Sequence, residues 1–89
     1  AGTGVTVPMR GLMESLTEAG PRTVPQLARL LMLKRQVVQR MVDELIEAGF
    51  GETAVNEAHA RSPLIRLTDE GRAAFAALRA AEHTRTVPV

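Results

Sequence analysis

The sequence predicts a mainly α domain with one small β-hairpin, an α+β arrangement of about four helices and a two- to three-stranded β element. Three observations carry this. Apolar residues make up 45% of the 89-residue chain, yet Phe50 and Phe75 are its only aromatics, so the core must be built from Leu, Val, Ile, Met and Ala, which suits helices. Several stretches place apolar residues at the three-and-four spacing of a helix. One stretch, Leu64 to Leu67, switches to period-two alternation, with Ile65 and Leu67 on one face and Leu64 and Arg66 on the other.

Taken in order, residues 1–6 read as a flexible N-terminus. The opening AGTGVTV lacks a basic region followed by an apolar segment, so it does not read as a signal peptide. Pro8 fits the first turn of a helix whose Met9, Leu12, Met13 and Leu16 follow at helical spacing, and Gly20-Pro21 ends it. This helix is expected to be scaffold. Arg22-Thr23-Val24 is long enough only for a brief strand pairing. Thr23 with Gln26 three residues on has the spacing of a capping box, and Pro25 falls where a missing N–H costs little, so a second helix begins there with Leu27, Leu30 and Leu31 on one side.

After Met32-Leu33-Lys34 a new apolar series starts, running through Leu33, Val38, Met41, Val42 and Leu45. On a helical wheel the core stripe of this third helix is Val38, Met41, Val42 and Leu45, while Gln36, Arg40, Asp43 and Glu47 point the opposite way and Arg35 and Gln39 flank that outer face. Two helices joined by so short a turn read as a helix-turn-helix. Between Ala19 and Val42 there is no acidic residue, whereas Arg22, Arg29, Lys34, Arg35 and Arg40 are basic. Arg and Gln are side chains that read guanine and adenine edges in a major groove. Asp43, Glu44 and Glu47 then make the C-terminal half acidic, which fits a helix entering DNA by its N-terminal end. A surface helix of any small domain also carries charged and amide residues opposite its core, so periodicity and charge alone leave two readings open: a DNA-facing surface and a merely solvated one.

Ala48-Gly49-Phe50-Gly51 supplies a glycine stop. Phe50 to Val55 and Leu64 to Leu67 are suited to two strands, with a polar connection from Asn56 to Pro63 between them. A basic-tipped hairpin directly after a helix-turn-helix is a wing, with residues 55–63 at its tip and Arg61 as the probe for a narrow, electronegative minor groove. Thr68 caps a last helix, Asp69 and Glu70 sit in its first turn where the macrodipole favours acid, and Ala74, Phe75 and Leu78 face the core. The remaining alanines leave a bare surface that a second helix could approach closely. Residues 7–83 thus form one domain, and 84–89 read as a flexible tail.

The net charge of +1 does not by itself announce a nucleic-acid binder; only the local distribution does. Without Cys there are no disulfides, thiolate chemistry or Cys-based zinc sites, and a cytoplasmic setting is expected. No apolar run approaches the roughly 18 residues of a membrane span. His59 and His83 are far apart, and Ser15, Ser62, Gly2, Gly4 and Gly11 stand in no nucleophile-elbow or phosphate-loop context, so no metal, no cofactor and no enzymatic activity are expected.

TVPQLARLL, then KRQVVQRMVDELIEAGF, then NEAHARSPLIRLTDEGR resemble the helix-turn-helix, recognition helix and wing of the MarR (multiple antibiotic resistance regulator) family of bacterial transcription factors, over about Gly20 to Leu78. The order and spacing of the recognition-helix run ending Glu-Ala-Gly and the wing exit Leu-Thr-Asp-Glu-Gly-Arg are the specific part. The resemblance implies a winged helix-turn-helix regulator, expected to repress, with recognition helix 34–47 in the major groove of double-stranded DNA. It implies that Arg61 takes the arginine position of a wing motif Asp-x-Arg, whose acidic position is held here by His59. Lys34 stands where the family often has a capping residue; this loses a cap and adds a cation for a phosphate. The candidate DNA contacts are Thr23, Lys34, Arg35, Gln36, Gln39, Arg40, His59 and Arg61. The chain is short for the family, which usually carries further terminal helices, so a homodimer through the first and last helices would have a reduced interface. A small-molecule effector is admitted by the resemblance, but no residues here mark its site. The competing reading is a winged-helix protein-interaction module without specific DNA binding, suggested by the low net charge and by Asp43, Glu44 and Glu47.

Overall fold

A computed structural model describes residues 6–86. The order is α1 (Val7–Ala19), α2 (Val24–Leu31), α3 (Arg35–Glu47), β1 (Gly51–Ala54), β2 (Leu64–Leu67) and α4 (Asp69–Thr86). Four helices and one antiparallel hairpin make a winged helix-turn-helix, in line with the fold class read from the sequence.

Each helix start has a local cause. Thr6 Oγ1 accepts from Met9 N at 3.3 Å and caps α1, which puts Pro8 in its first turn as expected. At α2 the box is complete: Thr23 Oγ1 accepts from Gln26 N at 3.3 Å, and Thr23 N donates to Gln26 Oε1 at 2.9 Å. Met32 ends α2 in the left-handed region at φ 58°, where Leu33 N donates to Ala28 O at 2.9 Å. Such a φ is uncommon for a side-chain-bearing residue and turns the chain sharply into α3. The α3 end closes over Gly49 (φ 82°), with Phe50 N donating to Leu45 O at 3.0 Å, the bond pattern of a Schellman stop.

The hairpin register pairs Gly51 with Leu67, Glu52 with Arg66, Thr53 with Ile65 and Ala54 with Leu64. The first strand is one residue shorter at each end than expected, because Phe50 is engaged in closing α3 and Val55 already lies out in solvent. The brief strand expected at Arg22 is a single bridge: Arg22 N donates to Ile65 O at 3.1 Å and Ile65 N to Arg22 O at 2.7 Å. The wing is thereby tied at its root to the entry of α2.

Met9, Leu12, Met13 and Leu16 of α1, Leu27 of α2, Val38, Met41, Val42 and Leu45 of α3, Ile65 and Leu67 of β2 and Phe75 of α4 form one core. The third-helix stripe is buried as the wheel places it. Leu30 and Leu33 are not: they are 53% and 42% exposed, because α2 is only eight residues long and the Met32 turn carries Leu33 away from the core. Thr68 begins α4, accepting from Gly71 N at 3.0 Å and donating to Gly49 O at 2.7 Å. Gly71 has no room for a side chain, since a Cβ there would lie 2.0 Å from Phe50 O. The helix continues to Thr86, past the expected tail boundary, as its alanine-rich sequence favours. Residues 1–5 and 87–89, which include most of the two expected flexible ends, lie outside the described residues. Arg10 of α1 holds Glu82 of α4 through Nε and Nη2, both at 2.7 Å. That bond to Glu82, first, and the charges of Glu82 and Glu14 hold the guanidinium above its ordinary pKa despite partial desolvation.

Candidate nucleic-acid interface

The helix-turn-helix turns the α3 stripe inward, so the other side of α3 faces out. Arg35, Gln36, Gln39 and Arg40 are all exposed there. Lys34 is the N-cap residue of α3, with no side-chain hydrogen bond to the first turn and no acidic residue in that turn. The orphan N–H groups of this helix end are left to solvent, beside two consecutive cations.

The wing tip is shaped by Asn56. Its Oδ1 accepts from Ala58 N at 3.2 Å and its Nδ2 donates to Ser62 O at 2.9 Å, while Ser62 N donates to His59 O at 3.0 Å. Below the tip, Arg66 pairs across the strands with Glu52 at 2.8 Å. These bonds hold the loop carrying His59 and Arg61, both exposed.

An open groove of about 450 Å³ runs between α3 and the wing. Arg35, Gln36 and Gln39 line one wall, Arg61 and Pro63 the other, and Val24, Val42 and Ile65 the floor. Four of the sequence-predicted residues are therefore brought to one cleft. Arg40 and Lys34 lie on the same helix outside it. His59 faces a second groove, of about 390 Å³, shared with Arg22, Arg29 and Thr23. Thr23 is 8% exposed, with its hydroxyl and N–H both in the α2 capping box, so its place here is to fix the helix start rather than to offer a free donor. Arg22, Arg29 and Asp43 were absent from the sequence-derived contacts; the acid-free cationic stretch was the available signal for the two arginines.

The electrostatics divide the cations into two sets. Arg10 pairs with Glu14 and Glu82, Arg66 with Glu52, and Arg72 with Asp69. Among the described residues, Arg22, Arg29, Lys34, Arg35, Arg40 and Arg61 form no salt bridge; nor does Arg79 of α4, which lies over the Phe75 ring at 5.6 Å. The helix-turn-helix and wing thus carry positive charge uncompensated by the protein's own acids, which suits an external polyanion.

No protein-family model matches the chain. Uncharacterized proteins of Mycobacterium tuberculosis and Mycobacterium bovis are 45% identical to it over 56 residues, which is 63% of this chain and 39% of theirs. The crystal structure of a MarR family transcription regulator superposes with a TM-score of 0.88 at 40% identity, covering 93% of this chain and 55% of the other. YusO of Bacillus subtilis gives 0.83 at 28% identity, with 96% and 62% covered. A mutant Escherichia coli MarR, complexed with operator DNA, gives 0.78 at 26% identity, with 81% and 51% covered. The chain spans about half to three-fifths of the length of these solved proteins and about two-fifths of the mycobacterial relatives. Of these, the first solved structure is a transcription regulator and the third is a MarR protein bound to operator DNA. The element order, the α3 face, the wing and these superpositions agree: the chain is a MarR-like winged-helix protein.

Proposed function

We propose that the chain is the DNA-reading part of a cytoplasmic transcriptional regulator that binds a specific double-stranded operator as a homodimer and represses. The observation that carries this is the set of six cations without a salt bridge, at the entries of α2 and α3, on these helices and on the wing, with Arg35, Gln36, Gln39 and Arg61 around one groove. In this reading Gln36, Gln39 and Arg40 contact base edges in the major groove, Lys34 and Arg35 contact phosphates, and Arg61 reaches the backbone or minor groove. Support comes from the solved E. coli MarR bound to operator DNA, which shares this fold. The homodimer would use α1 and α4, already locked together by Arg10 and Glu82, and would present the exposed alanines of α4 to a second copy.

Selection from a random duplex library at near-physiological salt, with the solution mass measured in parallel, tests this reading. An enriched pseudo-palindrome, and affinity that falls steeply with salt, are expected. Salt-insensitive binding, or no enriched sequence at all, would count for a protein-interaction module instead.

A further inference from the structure

Gln39 and Asp43 stand one turn apart on the outward side of α3, and Gln39 Nε2 donates to Asp43 Oδ1 at 2.9 Å. An ionised carboxylate can only accept, so the amide nitrogen must be the atom facing it. That removes the twofold ambiguity of a glutamine amide. Oε1 and the second N–H of Nε2 are left to face outward, and neither side chain has another hydrogen-bond partner among the described residues. Of the four bases, only adenine presents an acceptor and a donor side by side on its own major-groove edge, N7 beside N6, which is the complement of one N–H beside one carbonyl. An unrestrained glutamine can turn its amide over and follow lone acceptors or donors on other bases.

We infer that Asp43 is a positioning residue for base recognition: its carboxylate fixes the Gln39 amide in one orientation, so that α3 demands adenine at one position of each half-site. The inference rests on the DNA-reading function proposed above and adds to it a source of specificity that makes no base contact. In the free protein both side chains are exposed and the bond competes with water; at a docked interface, from which water is displaced, the same bond is stronger. An acid on a DNA-facing helix repels phosphate. Here Asp43 lines the same groove as Arg35 and Arg61, and those cations offset the repulsion.

The test is duplex selection with the 89-residue chain, with Asp43→Asn, with Gln39→Ala and with the double variant. Asp43 and Gln39 are exposed, so all four proteins should unfold at the same midpoint. The unaltered chain should enrich adenine in one column of its motif by roughly 5- to 150-fold over the other bases. Asn donates as well as accepts and so permits both amide orientations. Asp43→Asn should therefore flatten that column by about fivefold or more while leaving the other columns of the motif in place. Gln39→Ala should erase the same column, and Asp43→Asn should change nothing further in that background. An adenine column untouched by Asp43→Asn, or an effect of Asp43→Asn at a base pair other than the one Gln39→Ala erases, overturns the positioning role and leaves DNA reading standing. Absence of any enriched motif with the unaltered chain overturns both.

Discussion

Three of the four helices begin in the same way and one does not. Thr6, Thr23 and Thr68 each turn a hydroxyl onto the third backbone N–H of the helix they start, at 3.3, 3.3 and 3.0 Å. α3 starts at Lys34 with no such bond, although it contributes more buried residues to the core than α2 does. The scaffold helices satisfy their own first turns. α3 keeps its donors and its nearest cation unspent, and its stability comes from Val38, Met41, Val42 and Leu45 instead. Local capping and outward chemistry are thus assigned to different helix ends, and packing alone holds the end that is left open.

The contrast can be broken most severely at α4. Gly71→Ala should lower stability by about 3 kcal/mol or more, because the new methyl meets the Phe50 carbonyl beneath the Thr68 cap. Urea unfolding would read this, and a change under about 1 kcal/mol would mean that the α4 start adapts more easily than its geometry implies. At the open end the effect should appear in binding. Arg40→Ala should cost roughly 1 to 3 kcal/mol on the selected operator and relax its sequence preference, with the unfolding curve unchanged. Thr23→Ala should have the opposite profile, a stability loss of about 1 kcal/mol from the broken box with little direct effect on sequence preference. The smallest change is the most diagnostic. Lys34→Ser should stabilise the fold by about 0.5 to 1 kcal/mol by supplying the missing cap, while flattening the salt dependence of DNA binding by about one unit. A more stable variant with an unchanged salt slope would show that Lys34 meets no phosphate.

Much of this was legible in the sequence because it is local. The Thr23–Gln26 box, the Thr68 cap and the α3 stripe are each set by residues within a few positions of one another, where spacing and propensity speak directly. What was missed is either distant or ambiguous. Arg10 and Glu82 are 72 positions apart, and the space denied to Gly71 depends on a carbonyl 21 residues earlier. The exposure of Leu30 and Leu33 was missed because periodicity marks apolar positions without saying where a helix runs out of partners. Thr6 was hidden by a loose-looking leader, and α4 outran its expected end because nothing after His83 stops a helix before Pro88. At the candidate site, the Gln39–Asp43 bond has an ordinary helical spacing and could have been found, whereas the convergence of Arg35 and Arg61 on one groove needed the hairpin to be placed.

The pair of hydrogen bonds between Arg22 and Ile65 makes the wing and the helix-turn-helix into a caliper. One jaw is α3, the other is the loop around Arg61, and the bridge at their common root fixes the opening. On the proposed DNA-reading function, the distance along the duplex between the tract read by α3 and the tract touched by the wing is then a constant of the protein, not a quantity each operator can choose. Inserting one base pair between the tracts, a step of roughly 3.4 Å, should forfeit the wing's whole contribution; a wing that followed the insertion with undiminished affinity would show that the caliper opens.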